Sequence, residues 1–447
     1  MKTVSKICLL LIAFTINLNS VTAQSLEETI FEMIDEVSVD NLSDHIKILE
    51  DAGGTKSRIT FTPGIDSAAV YIKAAFDEIP GLTSVEIDTF YIQSAASPYN
   101  QQPQYNVIAT IEGETHPDQS YVFGAHMDAT ANRDGNWNGG NWDTIEAPGA
   151  DDNATGVAAI LEMARIMTDP THRFASEYTI KLVAFGAEEV GAGAGHYSGN
   201  HHGSIHYAQE AFAKDEEIMG MISVDMIGFN NNYEYASLVK LEGQAVNESV
   251  MLGEEFLKAN DDFSIGLITN GSPFRTGNYS DHQSFSDEGY PSILIIENAP
   301  WSSHQYYQSN PYYHTSNDTY AQLNMNLVKK ITQLNIATAA SFGGIITSTE
   351  GQQDLADKIQ LSPNYPNPFN PSTIINYSLN KATHVELSVY NVVGQEVARL
   401  VNGSQTAGVH SVTFDANNIS GELTSGVYIY RLKAGESVMS RKMILLK

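Results

Sequence analysis

The sequence predicts an α/β unit, with a mostly parallel central sheet covered by helices on both faces, followed by a small all-β, Ig-like sandwich. Three observations carry this. Short β-rich apolar runs recur at Tyr121 to Phe123, Ile180 to Phe185, Ile222 to Val224 and Ile293 to Ile296, as interior strands buried on both faces require. Helical segments separate them, which is the alternation of an α/β fold. Near residue 350 the pattern changes to short alternating strands broken by glycines. At 447 residues the chain has room for two or three folded units.

Taken in order, Lys2 and Lys6 precede an apolar stretch from Ile7 to Ile16 and the small-residue site Val21-Thr22-Ala23, which reads as a signal peptide over 1–23. The run is well short of the roughly 20 residues that span a bilayer. Cys8, the single cysteine, lies inside it, so the mature chain is expected to hold no disulfide. The α/β unit is placed at 24–348. Ala68, Ala69, Ile72, Ala75 and Phe76 recur at helical spacing, and Ser84 to Asp88 alternates as an edge strand does. Further on, Val157, Ile160, Leu161, Ala164 and Met167 make one apolar helix face. A polar linker is placed at 349–360. The sandwich, at 361–447, opens on the proline-punctuated turn Tyr365 to Pro371 and continues with alternating runs at His384 to Tyr390, Val409 to Phe414 and Gly426 to Leu432.

The net charge is −29 and unevenly spread. Residues 1–23 carry +2 and the stretch from 360 onward another +2, leaving −33 between them. Such acidity argues against nucleic acid or anionic membrane as a partner, and reads as a solvated secreted surface.

The chemistry lies in five patterns, in order along the α/β unit. They are His126 in Gly124-Ala125-His126-Met127-Asp128, Asp152 in Pro148 to Gly156, Glu188-Glu189 after an apolar run, Asp225 after Met221 to Val224, and His314 in Tyr313 to Thr319. Imidazole and carboxylate without thiolate suit catalytic rather than structural zinc. In open α/β sheets ligands gather beyond the carboxyl ends of the strands, so residues distant in sequence can meet there. A pair of zinc ions needs one bridging carboxylate and terminal ligands on each side. Asp152 suits the bridge, His126 and Asp225 one metal, and Glu189 and His314 the other. Glu188, left free beside a ligand, suits a general base. Asp128 is placed to accept the other imidazole N–H of His126 and fix its tautomer. Asp151 is the alternative for the bridge, and His282 in Ser280-Asp281-His282 the alternative to His314.

These motifs resemble the zinc-dependent aminopeptidases of the M28 type, closest to the secreted bacterial leucyl aminopeptidase subgroup, over residues 38 to 345. The resemblance implies two Zn2+ per chain, with His126 and Asp225 on one, Glu189 and His314 on the other, Asp152 bridging and Glu188 as base. It implies removal of N-terminal residues from peptides and proteins by metal-activated water. On the same scaffold, a glutaminyl cyclase-like acyltransferase and a carboxypeptidase or dipeptidase are the alternative activities, the latter needing a cationic anchor for which Arg275 is the candidate. A binding protein without catalysis would require a lost ligand or base, and none is missing. The chain departs from its relatives in lacking a disulfide before Ser-Asp-His, where it has Thr276 to Tyr279. It also carries an apparent insertion, Ala192 to His202, with His196, His201 and His202, read as a Gly/His-rich surface loop. The stretch Ala299 to Pro311, with Trp301, Tyr306 and Tyr307, looks longer than in relatives and is a candidate lining for the side-chain pocket.

The tail resembles the C-terminal sorting domain of the type IX secretion system. The features are Tyr-Pro-Asn-Pro-Phe, Val-Tyr-Asn-Val-Val-Gly-Gln-Glu-Val, Ser-Gly-Val-Tyr-Ile-Tyr-Arg-Leu and the terminal Lys442 to Lys447. That implies export through the periplasm to the cell surface or medium, with the outer-membrane secretion machinery as partner.

Overall fold

The computed structural model describes residues 25–172, 174–189, 199–230, 235–240, 246–269, 275–276, 280–297 and 309–345, and in the tail 360–361, 364, 369–379, 381–392, 394–419, 423–435 and 437–445. The expected signal peptide, most of the linker, and Trp301, Tyr306 and Tyr307 lie outside the described residues, as does the side chain of Arg275.

Eight helices are described: α1 (Leu26–Asp35), α2 (Val39–Asp51), α3 (Pro63–Asp77), α4 (Thr155–Met167), α5 (His202–Ala213), α6 (Val246–Asp262), α7 (His282–Asp287) and α8 (Met325–Ser341). They interleave with strands β1 (Ser84–Phe90), β2 (Gln104–Ile111), β3 (His116–His126), β4 (Phe174–Ala175), β5 (Tyr178–Phe185), β6 (Glu217–Val224), β7 (Tyr235–Lys240), β8 (Ile268–Thr269), β9 (Arg275–Thr276), β10 (Ser292–Ile296) and β11 (Gly344–Ile345). Helix starts are locally encoded. A Ser25–Glu28 capping box opens α1, and the Ser38 side chain caps α2.

The main sheet runs β1-β2-β5-β3-β6-β10-β7-β8, with β9 on β7. Its centre, β5-β3-β6-β10, is parallel. The pairs β1/β2, β2/β5 and β10/β7 are antiparallel. The four apolar runs singled out in the sequence are these four central strands, and β1 is the expected edge. Alternate residues feed opposite cores. Phe123, Leu182 and Ile222 join a large core with α1, α2, α3, α4, α6 and α8, whereas Val122, Val183 and Met221 join Tyr207 of α5 and Phe285 of α7 on the other face. A one-residue slip in any of these strands would exchange the two cores.

Helix α4 differs from expectation. Rather than one apolar face it buries every side chain but Arg165, because α2 and α8 cover the side turned away from the sheet. Its small residues Ala158, Ala159 and Ala164 allow that double contact. Buried Glu162 is satisfied by Arg165, the Ser38 N–H and Asn41.

The tail is all β. Strands β12 (Gln360–Leu361), β13 (Ser372–Leu379) and β16 (Gly408–Asp415) form one sheet, and β14 (Thr383–Asn391), β15 (Glu396–Gln405), β17 (Gly426–Ala434) and β18 (Ser437–Leu445) another. Ile375, Tyr377 and Phe414 of the first share a core with Leu387, Tyr430 and Met443 of the second, which is sandwich packing. Among the described residues no helix is long and apolar enough to cross a membrane.

Candidate metal centre

The central strands deliver the site. β3 ends on His126, Asp225 directly follows β6, and Glu188 and Glu189 lie just past the end of β5. Because β5, β3 and β6 are neighbours, these ends lie side by side. Asp152 comes from a short irregular turn, Ala150–Ala154, that leads into α4. That turn is held from several directions. Asn153 Nδ2 donates to the Val224 carbonyl at 2.8 Å, and Gly156 N–H donates to Asn153 Oδ1 at 3.0 Å. A Cβ on Gly156 would fall 2.2 Å from the Val224 oxygen, so glycine lets α4 approach the end of β6. Fully buried Arg58 donates to the carbonyls of Leu49, Met127, Pro148 and Gly149, joining the end of β3 to the turn. Ala187, Met226 and His314 take positive φ values of 55°, 49° and 59°, a left-handed conformation uncommon for side-chain-bearing residues. Each is a candidate ligand or lies within two residues of one, as expected where a functional geometry dictates the backbone.

Asp152 stands at the middle. Its Oδ1 lies 3.1 Å from His126 Nε2 and its Oδ2 3.1 Å from His314 Nε2. His126 Nε2 is also 3.3 Å from Asp225 Oδ1, and His314 Nε2 is 3.1 Å from Glu189 Oε2. The five candidate ligands therefore form two groups, His126 with Asp225 and His314 with Glu189, that meet at Asp152. Ligand atoms of His126, Asp152 and Glu189 all lie within 4.8 Å of one another. On His314, Nδ1 faces Asn132 Oδ1 at 3.2 Å, which leaves Nε2 for the centre.

The candidate carboxylates Asp152, Glu188, Glu189 and Asp225 are all buried. Burial pushes Glu189 up to about 8 against the pull of His314, and raises Asp225 against that of His126. Asp152 goes the other way: burial opposes its ionisation, but hydrogen bonds from both imidazoles hold it below the usual carboxylate range. Burial disfavours charge on His314 as well, yet Glu189 and Asp152 carry it up to about 10. Three carboxylates, Asp152, Glu189 and Asp225, converging on two imidazoles leave an anionic surplus that a bound cation would neutralise. The donor set, nitrogen and oxygen without sulfur, fits catalytic zinc.

Asp128 departs in part from expectation. His126 Nδ1 lies nearer the Asp128 carbonyl oxygen, at 3.1 Å, than its carboxylate, at 3.7 Å. The carboxylate accepts instead the backbone N–H groups of Glu188 and Glu189, at 3.0 and 3.2 Å, and the Thr60 hydroxyl. It thereby fixes the Glu-Glu segment against the end of β3. Asp151 accepts from Gly228 N–H and Asn310 and takes no part in the imidazole contacts of Asp152. His282 is buried at the start of α7. Sequence reasoning assigned no role to Asp318, whose carboxylate accepts the N–H groups of Asp151 and Asp152 at 3.0 and 3.1 Å. It sits in the His314 motif, four residues on, and that proximity was the available signal. Of the insertion, 192–198 lies outside the described residues, but His201 is not on a surface loop: it is buried against Glu188.

The parallel centre of this mixed sheet gathers imidazoles and carboxylates at its strand ends, an arrangement that suits an α/β metallohydrolase. Residues 106–339 match the model of peptidase family M28, and the chain belongs to that family. Residues 364–446 match the secretion system C-terminal sorting domain. Among curated relatives, a probable zinc metalloprotease of Leptosphaeria maculans is 26% identical, over 63% of this chain and 68% of its own. A probable leucine aminopeptidase of Arthroderma otae is 28% identical, over 51% and 54%. An aminopeptidase of Bacillus subtilis is 29% identical, over 55% and 46%. The chain thus spans about half the length of the latter two. Among solved structures, LapB of Legionella pneumophila superposes with a TM-score of 0.54 at 22% identity, over 72% of this chain and 76% of its own. A Porphyromonas gingivalis glutaminyl cyclase gives 0.53 at 19%, over 68% and 98%. These likenesses establish a shared fold.

Proposed function

We propose that this chain is an exported dizinc aminopeptidase that removes N-terminal residues from peptides. The observation that carries the reading is Asp152, whose two oxygens face different histidines, His126 and His314, as a bridging carboxylate must. His126 and Asp225 would hold one zinc, Glu189 and His314 the other, and Asp152 both. When bound, the ions supply Lewis acidity to the attacking water and the scissile carbonyl. Glu188 accepts a proton from the water and returns it to the leaving amine. Asp128 holds the base and the adjacent ligand by their backbone N–H groups. The family membership and the aminopeptidase names of the relatives support this activity.

The reading extends to the whole chain: a signal peptide at 1–23, the peptidase unit at 24–348, a linker at 349–360 and a sorting domain at 361–447. The sorting-domain match supports export to the cell surface or medium by the outer-membrane secretion machinery. The test is hydrolysis of a panel of aminoacyl-p-nitroanilides, beside N-acetylated versions, with metal analysis. Cleavage of free-amine substrates alone, lost on chelation and in Glu188→Ala, with two zinc ions per chain, is expected. A folded protein with one zinc that instead cyclises N-terminal glutamine would replace this reading with the acyltransferase.

A further inference from the structure

Glu188 does not face the centre alone. His201 Nε2 lies 3.0 Å from Glu188 Oε1, and both side chains are buried, His201 at 3% exposure. The contact is built by the backbone. His201 N–H donates to the Glu188 carbonyl at 2.8 Å, His202 N–H to Ala187 at 2.9 Å and Gly203 N–H to Gly186 at 3.0 Å. These three bonds lay the entrance to α5 along the Glu-Glu segment and register His201 opposite Glu188. Gly203 is the residue that allows it, since a Cβ there would fall 2.3 Å from the Gly186 oxygen. His201 holds a left-handed φ of 60°, and its carbonyl accepts the Ser204 hydroxyl at 3.2 Å. The Asn200 side-chain amide lies 2.9 Å from the same ring nitrogen, and an Nε2–H given to Glu188 requires that amide to turn its oxygen, the acceptor, toward the ring.

We infer that His201 is a positioning residue for the general base, donating its Nε2–H to Glu188 Oε1 so that the other carboxylate oxygen is presented to the reacting water. This rests on the reading of Glu188 as base. A free glutamate side chain samples several rotamers, and a carboxylate tied at one oxygen keeps one of them. Misplacement of a reacting group by about 1 Å can cost on the order of 100-fold in rate. The bond acts on the proton-transfer step rather than on the bound substrate, so its loss appears in kcat and not in KM.

The experiment compares the full-length exported protein with His201→Leu, His201→Gln, Glu188→Gln and the double variant Glu188→Gln/His201→Leu, reading kcat, KM, zinc content and Tm. His201→Leu is expected to lose about 10- to 100-fold in kcat, with KM and zinc content unchanged. His201→Gln, which keeps an N–H donor of similar reach, is expected to recover most of that loss. On the Glu188→Gln background the His201→Leu effect should vanish, because a residue acting only through Glu188 has nothing left to position. Full activity in His201→Leu, a loss matched by lost zinc, or an equal loss in both backgrounds would overturn the inference while leaving the aminopeptidase intact. An inactive wild type, or a fully active Glu188→Gln, would remove the base itself and the inference with it.

Discussion

Asp152 serves both halves of the centre with one side chain, and it holds that position because its own backbone is held. Asp318 accepts its N–H and that of Asp151. In Asp318→Asn one of the two acceptor oxygens becomes a donor, so one of those N–H groups loses its partner. We expect zinc affinity to fall about 10- to 100-fold, the usual cost of losing a group that orients a ligand, with the fold retained. Competition against a chromophoric chelator measures it, and unchanged affinity would refute the role. Asp128→Asn is a second test at this scale. It weakens the hold on Glu188 and Glu189, so kcat and zinc affinity should drop together, read by steady-state kinetics and the same competition. The five candidate ligands could be singled out in the sequence because each sits in its own local pattern, His126, Glu189 and Asp225 at or just past a strand end. The supports could not. Asp318 meets Asp152 across 166 positions, and His201 reaches Glu188 only because three backbone bonds align them, which no local spacing records.

Among the elements, the four central strands were legible because strands buried on both faces read as continuous apolar runs. Helix α4 was found but misread as one-faced, since its second covering comes from α2 and α8, distant in sequence. The join between α4 and β6 is the tightest approach at the site. Gly156→Ala would drive a methyl into the Val224 carbonyl, and either α4 retreats or the Asn153 bridge breaks. We expect a loss of about 1–3 kcal/mol, the usual cost of overpacking, together with weakened zinc binding. Urea denaturation of the metal-loaded protein measures the first, and a change below about 0.5 kcal/mol, the scale of neutral surface substitutions, would show that the join relaxes freely.

For the whole molecule, the metal is expected to act as a pH-dependent clamp. Without it, His314 is held up to about 10 and Glu189 up to about 8, both above their unfolded values. The metal-free fold therefore binds protons that the unfolded chain releases, and through these groups it loses stability as pH rises through that range. Zinc needs the same groups deprotonated, so its stabilisation grows in the same direction. The Tm gap between loaded and chelated protein should be wider at about pH 8.5 than at about pH 6, by calorimetry; an equal or narrower gap would contradict the charge balance described. The peptidase cores and the tail core share no residue. Limited proteolysis within 349–360 is accordingly expected to yield two protease-resistant fragments, identified by mass spectrometry, the larger retaining hydrolysis. The all-β tail was legible because the hydrophobic period changes to that of strands near residue 350. On the proposed assignment a centre begun at His126 is finished only with His314, so a nascent chain shorter than residue 314 is expected to lack activity. Premature truncation before that residue is then expected to yield silent protein rather than a sluggish enzyme.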